Sequence, residues 1–254
     1  MKPIPARLRA SGLHLSLSLM VAALAAAVVF GLWYPYPYRE VSGGRELFLL
    51  VVGVDVIVGP LITLLVFNPA KSRRERVLDF SVIGLLQVAA LCYGLWTVAV
   101  ARPVHLVFEI NRFRVVHAVE IDEGLLAQAP PGLQALPWRG PTLVALRPFK
   151  SPQEEQEATL AALSGVSLSA RPDLWQPYDQ AHQALQAVAR PLGELSQRLP
   201  AQAPVIAEWL RQRPAGAPSD ALVYIPMVGR KLFWTVVLDP VSWSVQGFLP
   251  IDSF

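Results

Sequence analysis

The sequence predicts a membrane protein, with three transmembrane α-helices followed by an extracytoplasmic α+β domain built on a mainly antiparallel sheet. Three observations carry that reading. Apolar stretches occupy about residues 13–33, 46–67 and 80–101, and each meets the requirement of roughly 20 residues for a helix crossing the hydrocarbon core. Charged residues return in strength after Arg102. Beyond that point strand patterns come first, helical patterns follow and strand patterns close the chain, which describes an α+β domain. The organisation is therefore a membrane domain over residues 1–101 and an outer domain over residues 102–254.

Charge asymmetry orients the spans, because short loops rich in Lys and Arg stay cytoplasmic. Lys2, Arg7 and Arg9 precede the first span, and Lys71, Arg73, Arg74 and Arg76 lie between the second and third. Both segments face one compartment if all three stretches cross, which puts the N-terminus inside and the chain after Ala101 outside, a bacterial inner-membrane arrangement with a periplasmic domain. The first span has the basic start and the small residues Ala25, Ala26 and Ala27 of a signal peptide. Its apolar run continues through Val28, Val29, Phe30 and Leu32, which favours an uncleaved anchor. Trp33-Tyr34-Pro35-Tyr36-Pro37-Tyr38 reads as an interfacial aromatic belt in a short external loop rather than a proline motif. The run from Lys71 to Arg76 is a topology signal first and a lipid-binding patch second, with Asp79 positioned for a local ion pair near its arginines.

The second span holds the residue that stands out most. Asp55 lies well inside it, where a carboxylate costs about 2.5 to 3.5 kcal/mol on insertion scales. Two readings stay open: a recognition point for another helix or an ion path, and a carboxyl hydrogen-bonded within the bundle. Gly53 and Gly59 admit close helix approach and Pro60 frees a backbone carbonyl, so the surface suits a helix contact. Gln87 in the third span is a possible partner for Asp55, and Gly84 could bring the two backbones together.

In the outer domain, about 150 residues suffice for one core. Val104, Leu106, Phe108 and Ile110 alternate with His105 and Glu109, and after Asn111-Arg112 the alternation resumes as Phe113, Val115, His117 and Val119, giving a strand pair with a tight turn. A Pro- and Gly-rich passage, residues 129–141, leads to a strand at 142–146. Ser151-Pro152-Gln153-Glu154 announces a helix ending near Gly165. Leu185, Val188, Leu192, Leu195 and Leu199 stripe a second helical stretch that Pro191 kinks or breaks. That stripe is a face packed on its own domain more often than a coiled-coil seam. A short helix follows Pro204, and strands at 221–225, 232–238 and 243–249 end the chain.

Composition narrows the function. The 53% hydrophobic content and mean hydropathy of +0.40 suit a chain divided between two solvents. The net charge of +3 and pI of 9.2 do not argue for nucleic acid, because much of the basic excess sits where topology needs it. Cys92 is the sole cysteine and lies in the third span, so the outer domain has no disulfide. His14, His105, His117 and His182 lack paired metal-ligand spacing, and no phosphate loop, nucleophile elbow or HExxH pattern occurs. No catalytic, metal or cofactor site is expected.

A family resemblance follows from an ordered series of motifs. Trp33-Tyr34-Pro35, Gly53-Val54-Asp55, Gly59-Pro60-Leu61, Thr63-Leu64, Phe67-Asn68-Pro69, Asp79, Ser81-Val82-Ile83, Leu85-Leu86-Gln87 and Tyr93-Gly94 resemble the type IV pilin accessory proteins of the TfpX/TfpZ family. The likeness covers mainly residues 30–120, with a further trace in Gly247-Phe248-Leu249-Pro250 and Asp252. Tyr36 and Pro37 depart from the Gly-containing loop of that pattern. The resemblance implies an inner-membrane, chaperone-like factor that helps a cognate type IV major pilin accumulate or assemble, with Gly53, Asp55, Gly59, Pro60 and Gln87 as the candidate partner-binding set. The competing classes are a membrane-anchored periplasmic sensor of a small ligand and a membrane enzyme. The inside segments are too short for a signalling output, and no polar constellation marks an enzyme.

Overall fold

The computed structural model describes residues 5–213 and 221–254; Lys2, one of the basic residues used to orient the chain, lies outside them. Two compact units emerge, one of residues Met1–Pro35 and Gly44–Arg102, the other of Tyr36–Gly43 and Pro103–Phe254.

The first unit consists of three helices long and apolar enough to cross a membrane, Ala6–Trp33, Gly44–Val66 and Arg73–Val100. The third begins earlier than its apolar run because Ser72 caps it. The Glu75 amide donates to Ser72 Oγ at 3.3 Å while the Ser72 amide donates to Glu75 Oε2 at 2.8 Å, a reciprocal arrangement that satisfies two otherwise orphaned donors. Arg73, Arg74 and Arg76 thus stand in its first turn rather than in a loop. Asp79 pairs with Lys71 at 2.6 Å, not with the arginines.

Aromatic and small residues join these helices. Phe30 meets Phe48 edge-on with centroids 4.9 Å apart. The buried Tyr34 donates its hydroxyl to the Val98 carbonyl at 3.2 Å, so it is an anchor inside the unit and not part of an interfacial belt. A methyl at Gly94 would collide with Val51, whereas Gly84 faces open space. The close approach expected at Gly84 is made at Gly94, against Val51, and at Gly59, against Gln87. Leu13, Leu24, Leu50, Leu65, Leu85 and Leu86 point outward, as lipid-facing side chains would.

The second unit is an α+β fold with a mostly antiparallel sheet. Its strands are β1 (Pro103–Glu109), β2 (Arg112–His117), β3 (Thr142–Leu146), β4 (Trp175–Pro177), β5 (Arg190–Pro191), β6 (Val223–Val228), β7 (Phe233–Leu238) and β8 (Val245–Leu249). The order across the sheet is β4-β3-β1-β2-β6-β7-β8, with β5 also paired to β6. Only β1 with β3 and β2 with β6 run parallel. The β1–β2 register pairs Phe108 with Phe113 and Glu109 with Arg112, so the turn is Ile110-Asn111. Ile110 itself takes the positive φ of 56°, a conformation a β-branched residue rarely adopts. Val119 falls in a 3-10 turn after β2, not in the strand. The short β4 and β5 have no periodicity of their own and exist through their partners.

Every residue of β1 is buried, because this strand is covered on both faces and simple alternation fails there. Leu106, Phe108, Phe113, Val115, Ile225, Met227 and Val236 form one core with Leu185 of the helix His182–Val188. On the opposite face Val104, Val107, Val116 and Trp175 form a second core, and Tyr224, Val237 and Leu249 a third with Leu192, Leu195 and Ile206. The leucine stripe is therefore interior to its own unit, and Pro191 divides it into His182–Val188 and Leu192–Arg198. Ser151 caps Pro152–Leu163 through the Glu154 amide at 3.2 Å. The Glu154 carboxylate does not return to the cap. It pairs with Arg147 at 2.6 Å, which holds its pKa down at about 2 and ties the helix to the end of β3.

The largest departure from expectation concerns the connection between the first two spans. Tyr38 and Val41 are buried in the first of these cores, with Tyr38 against Phe248 at 5.8 Å and Tyr36 against Trp234 at 5.9 Å. The Lys231 amide donates to the Val41 carbonyl at 2.9 Å, and Gly229 leaves no room for a side chain beside Val41. The segment Tyr36–Gly43 is therefore a structural component of the outer unit.

His105 is fully buried at the centre of the sheet. Nδ1 lies 2.8 Å from Thr142 Oγ1 and Nε2 lies 2.9 Å from the Ala135 carbonyl, so Nε2 carries the proton and Nδ1 accepts from the threonine. The neutral ring thereby fastens the 129–141 passage to β1 and β3. Burial pulls its pKa from 6.5 down to about 4. The unfolded chain takes up this proton near pH 6.5 and the folded chain only near pH 4. The stabilisation is complete above pH 6.5 and is lost as pH falls through that interval, by about 3 kcal/mol. Denaturation curves of the protein and of His105→Gln, measured in detergent from pH 7 to pH 4, should converge as pH falls; parallel curves would contradict this account.

Candidate functional site

Polar groups gather where the three long helices face one another. The second span widens into a π turn at Val54–Val58, immediately before Pro60, whose ring cannot fit the regular i→i−4 ladder. In a π turn the donor facing the Asp55 carbonyl would be the residue five positions on. That residue is Pro60, which has no N–H. Gln87 Nε2 supplies the missing donor at 3.3 Å. The expected Asp55–Gln87 partnership thus exists, but it is made through the main chain of Asp55 and not its carboxyl group.

Gly59 makes that contact possible, since any side chain there would run into the Gln87 amide. Both Gly59 and Pro60 are buried within the helical unit. Gly53 has no neighbour within 4 Å of the position a side chain would take, and it borders the outward-facing Val54, Ile57 and Val58.

Two further links close the cluster. Ser11 Oγ donates to the Pro60 carbonyl at 2.9 Å, and His14 Nδ1 lies 2.6 Å from Thr63 Oγ1. Sequence reasoning missed Ser11, His14 and Thr63. The signal was the spacing: Ser11 and His14 stand three residues apart, as do Pro60 and Thr63, and each pair therefore shares a helix face. Within this cluster Asp55 Oδ1 is buried and has no hydrogen-bond partner.

In the outer unit a cleft of about 500 Å³ is bordered by Asn111, Arg190, Arg198, Tyr224 and Phe254. Arg198 is already engaged there, donating to Tyr224 Oη at 2.7 Å and to the carbonyls of Ser253 and Phe254 at 3.4 Å. Among the described residues, no group of three or more His, Cys, Asp or Glu side chains is placed to hold a metal ion.

Known proteins resemble this chain over both units. Residues 2–43 match the family described as fimbrial assembly protein FimB. The serogroup I fimbrial assembly protein of Dichelobacter nodosus is 35% identical over 245 residues, which span 96% of this chain and 95% of that protein. The serogroup E1 protein of the same organism is 34% identical over 245 residues, with the same two coverages. The protein of serogroups C1 and C2 is 44% identical over 119 residues, 47% of this chain and 91% of its own length. No solved structure matches. These relatives carry the name fimbrial assembly protein, not TfpX or TfpZ. With likeness running through the spans and the outer unit alike, the chain belongs to the fimbrial assembly protein family.

Proposed function

We propose that this protein is an inner-membrane accessory factor that binds a cognate type IV major pilin and, chaperone-like, promotes its stability or its assembly into pili. The observation that carries the reading is the similarity to proteins named for fimbrial assembly over 96% of the chain. A pilin awaiting assembly has an apolar helix in the bilayer and a globular head outside it, and this chain offers a surface in each solvent. Support comes from three apolar helices and from the exposed Val54, Ile57 and Val58 of the second, beside Gly53. The reading requires no catalytic step. Co-purification tests it: a tagged chain extracted in mild detergent should retain the pilin encoded by the same genome, and its deletion should lower pilin level or surface pili. Retention of no pilin, together with normal piliation on deletion, would rule it out.

In this reading the N-terminus is cytoplasmic and the outer unit periplasmic. Arg7, Arg9 and the Lys71–Arg76 run support that orientation. The packing of Tyr36–Gly43 with Pro103–Phe254 in one unit supports placing the first connection and the C-terminal domain in one compartment. Reporters fused after Glu40, Arg74 and Lys150 should read outside, inside and outside; a cytoplasmic signal after Lys150 would overturn the orientation.

The two units divide the work. The outward face of the second span beside Gly53 and Asp55 docks the apolar helix of the pilin, and the outer unit chooses among pilin heads. Exchanging residues from Arg102 onward with those of a relative serving another pilin should transfer pilin preference. Preference that follows the spans instead reverses the assignment.

A further inference from the structure

The β6–β7 turn carries four consecutive exposed residues, Arg230, Lys231, Leu232 and Phe233. Leu232 and Phe233 are 48% and 50% exposed, large apolar side chains left open beside two cations. Phe254, itself exposed, meets the Phe233 ring edge-on at 5.8 Å. On the other side of the sheet Tyr36, 56% exposed, leans on Trp234.

Strand register fixes which end of the sheet this is. Pro103 opens β1 and pairs with His117 at the end of β2. Parallel pairing of β2 with β6, Phe113 with Met227 and Arg114 with Val228, sends the C-terminal end of β6 toward that same edge. The third span ends at Val100, a few residues before Pro103. The turn also contacts the Tyr36–Gly43 segment through the Lys231 amide and Val41 carbonyl, and that segment is bounded on either side by the first and second spans. The turns at the other end of the sheet, Ile110-Asn111 and residues 239–244, have no such connection to a span. All three spans thus join the outer unit at the sheet end that bears the basic and aromatic residues.

We propose that this end of the sheet is a footing on the lipid surface, with Leu232 and Phe233 entering the boundary between headgroups and acyl chains while Arg230 meets anionic headgroups. Aromatic rings and long cationic side chains are the groups that partition to that boundary. The charge is complementary to anionic lipid, and the surface is continuous with the point at which three spans enter the bilayer. Ile110 and Val241 lie at the other end of the sheet.

Spin labelling of the full chain tests this. In a Cys92→Ser background, Leu232→Cys and Val241→Cys are each labelled with a nitroxide and reconstituted singly into nanodiscs of phosphatidylcholine, with and without phosphatidylglycerol. At position 232, collisions with oxygen should exceed those with a water-soluble nickel chelate several-fold, and more so with phosphatidylglycerol. At position 241, 88% exposed in the native chain, the nickel chelate should dominate in both lipids. Arg230→Gln should reduce the phosphatidylglycerol increment, by up to about fivefold. A label at 232 that behaves as the one at 241 would overturn the proposal. So would one shielded from both collision partners, which would mark contact with protein instead.

Discussion

Replacing Tyr38 with alanine should destabilise the outer unit by about 3 to 5 kcal/mol, the range for removing a large buried aromatic side chain. Tyr38 is 7% exposed and packs on Phe248 within the core that also holds Leu106, Ile225 and Val236. The cavity cannot be closed from the segment's own side, because Val41 is fixed against Gly229 and by the bond from Lys231. Tyr36→Ala, removing a side chain that is mostly in solvent, should cost far less. Urea denaturation in detergent micelles, followed by tryptophan fluorescence, separates the two, since most of the tryptophans lie in the outer unit. Equal midpoints for Tyr38→Ala and the unaltered protein would show that the segment is an ornament of the outer unit and not part of its core.

The second large effect is expected at Asp55. Asp55→Leu should abolish or sharply reduce pilus assembly without lowering the amount of the protein, and Asp55→Asn should retain much of the function. The reasoning turns on the partner it lacks. A polar group bonded within the bundle would leave that bond broken when replaced, and the helices would suffer. Asp55 Oδ1 has no such bond, while the contact from Gln87 goes to the main-chain carbonyl and survives any change of side chain. Leucine also removes the insertion cost of about 2.5 to 3.5 kcal/mol for a carboxylate in the bilayer. A loss of pili at undiminished protein level would therefore place the need for the carboxyl in function and not in accumulation of the protein. Sheared pili quantified beside an immunoblot of the membrane fraction give the answer, and normal piliation in both variants would make Asp55 a tolerated polar residue.

Much of this architecture was legible because membranes and sheets impose strong patterns. Three uninterrupted apolar runs, the Ser151 cap, the break at Pro191 and the β1–β2 hairpin all follow from local rules, and the structure contains each. The strand ends shifted where a neighbour decided them: the turn moved to Ile110-Asn111 because Glu109 pairs with Arg112. Asp55 and Gln87 stood out against an apolar background, yet their geometry depends on a carbonyl that Pro60 leaves without a donor. Ser11, His14 and Thr63 were hidden among residues that helices commonly tolerate. The role of Tyr38 was invisible for a different reason. Its partners are supplied by strands near the other end of the chain, and an aromatic residue beside a span looks the same whether it meets headgroups or a distant core.

That distance has a consequence for the order of synthesis. Tyr36–Gly43 is made early, directly after the first long helix, and stands uncovered while the rest of the chain is made. Only when Trp234 and Phe248 arrive can it be enclosed. Contacts between such remote positions form late, after the loop-closure entropy has been met. A chain in which that segment is held away from the strands leaves the first of the cores without Tyr38 and Val41. Completion of that unit therefore needs a segment from near the start of the chain and strands from near its end in one place, so a chain cut before β7 and β8 leaves Tyr38 without its cover.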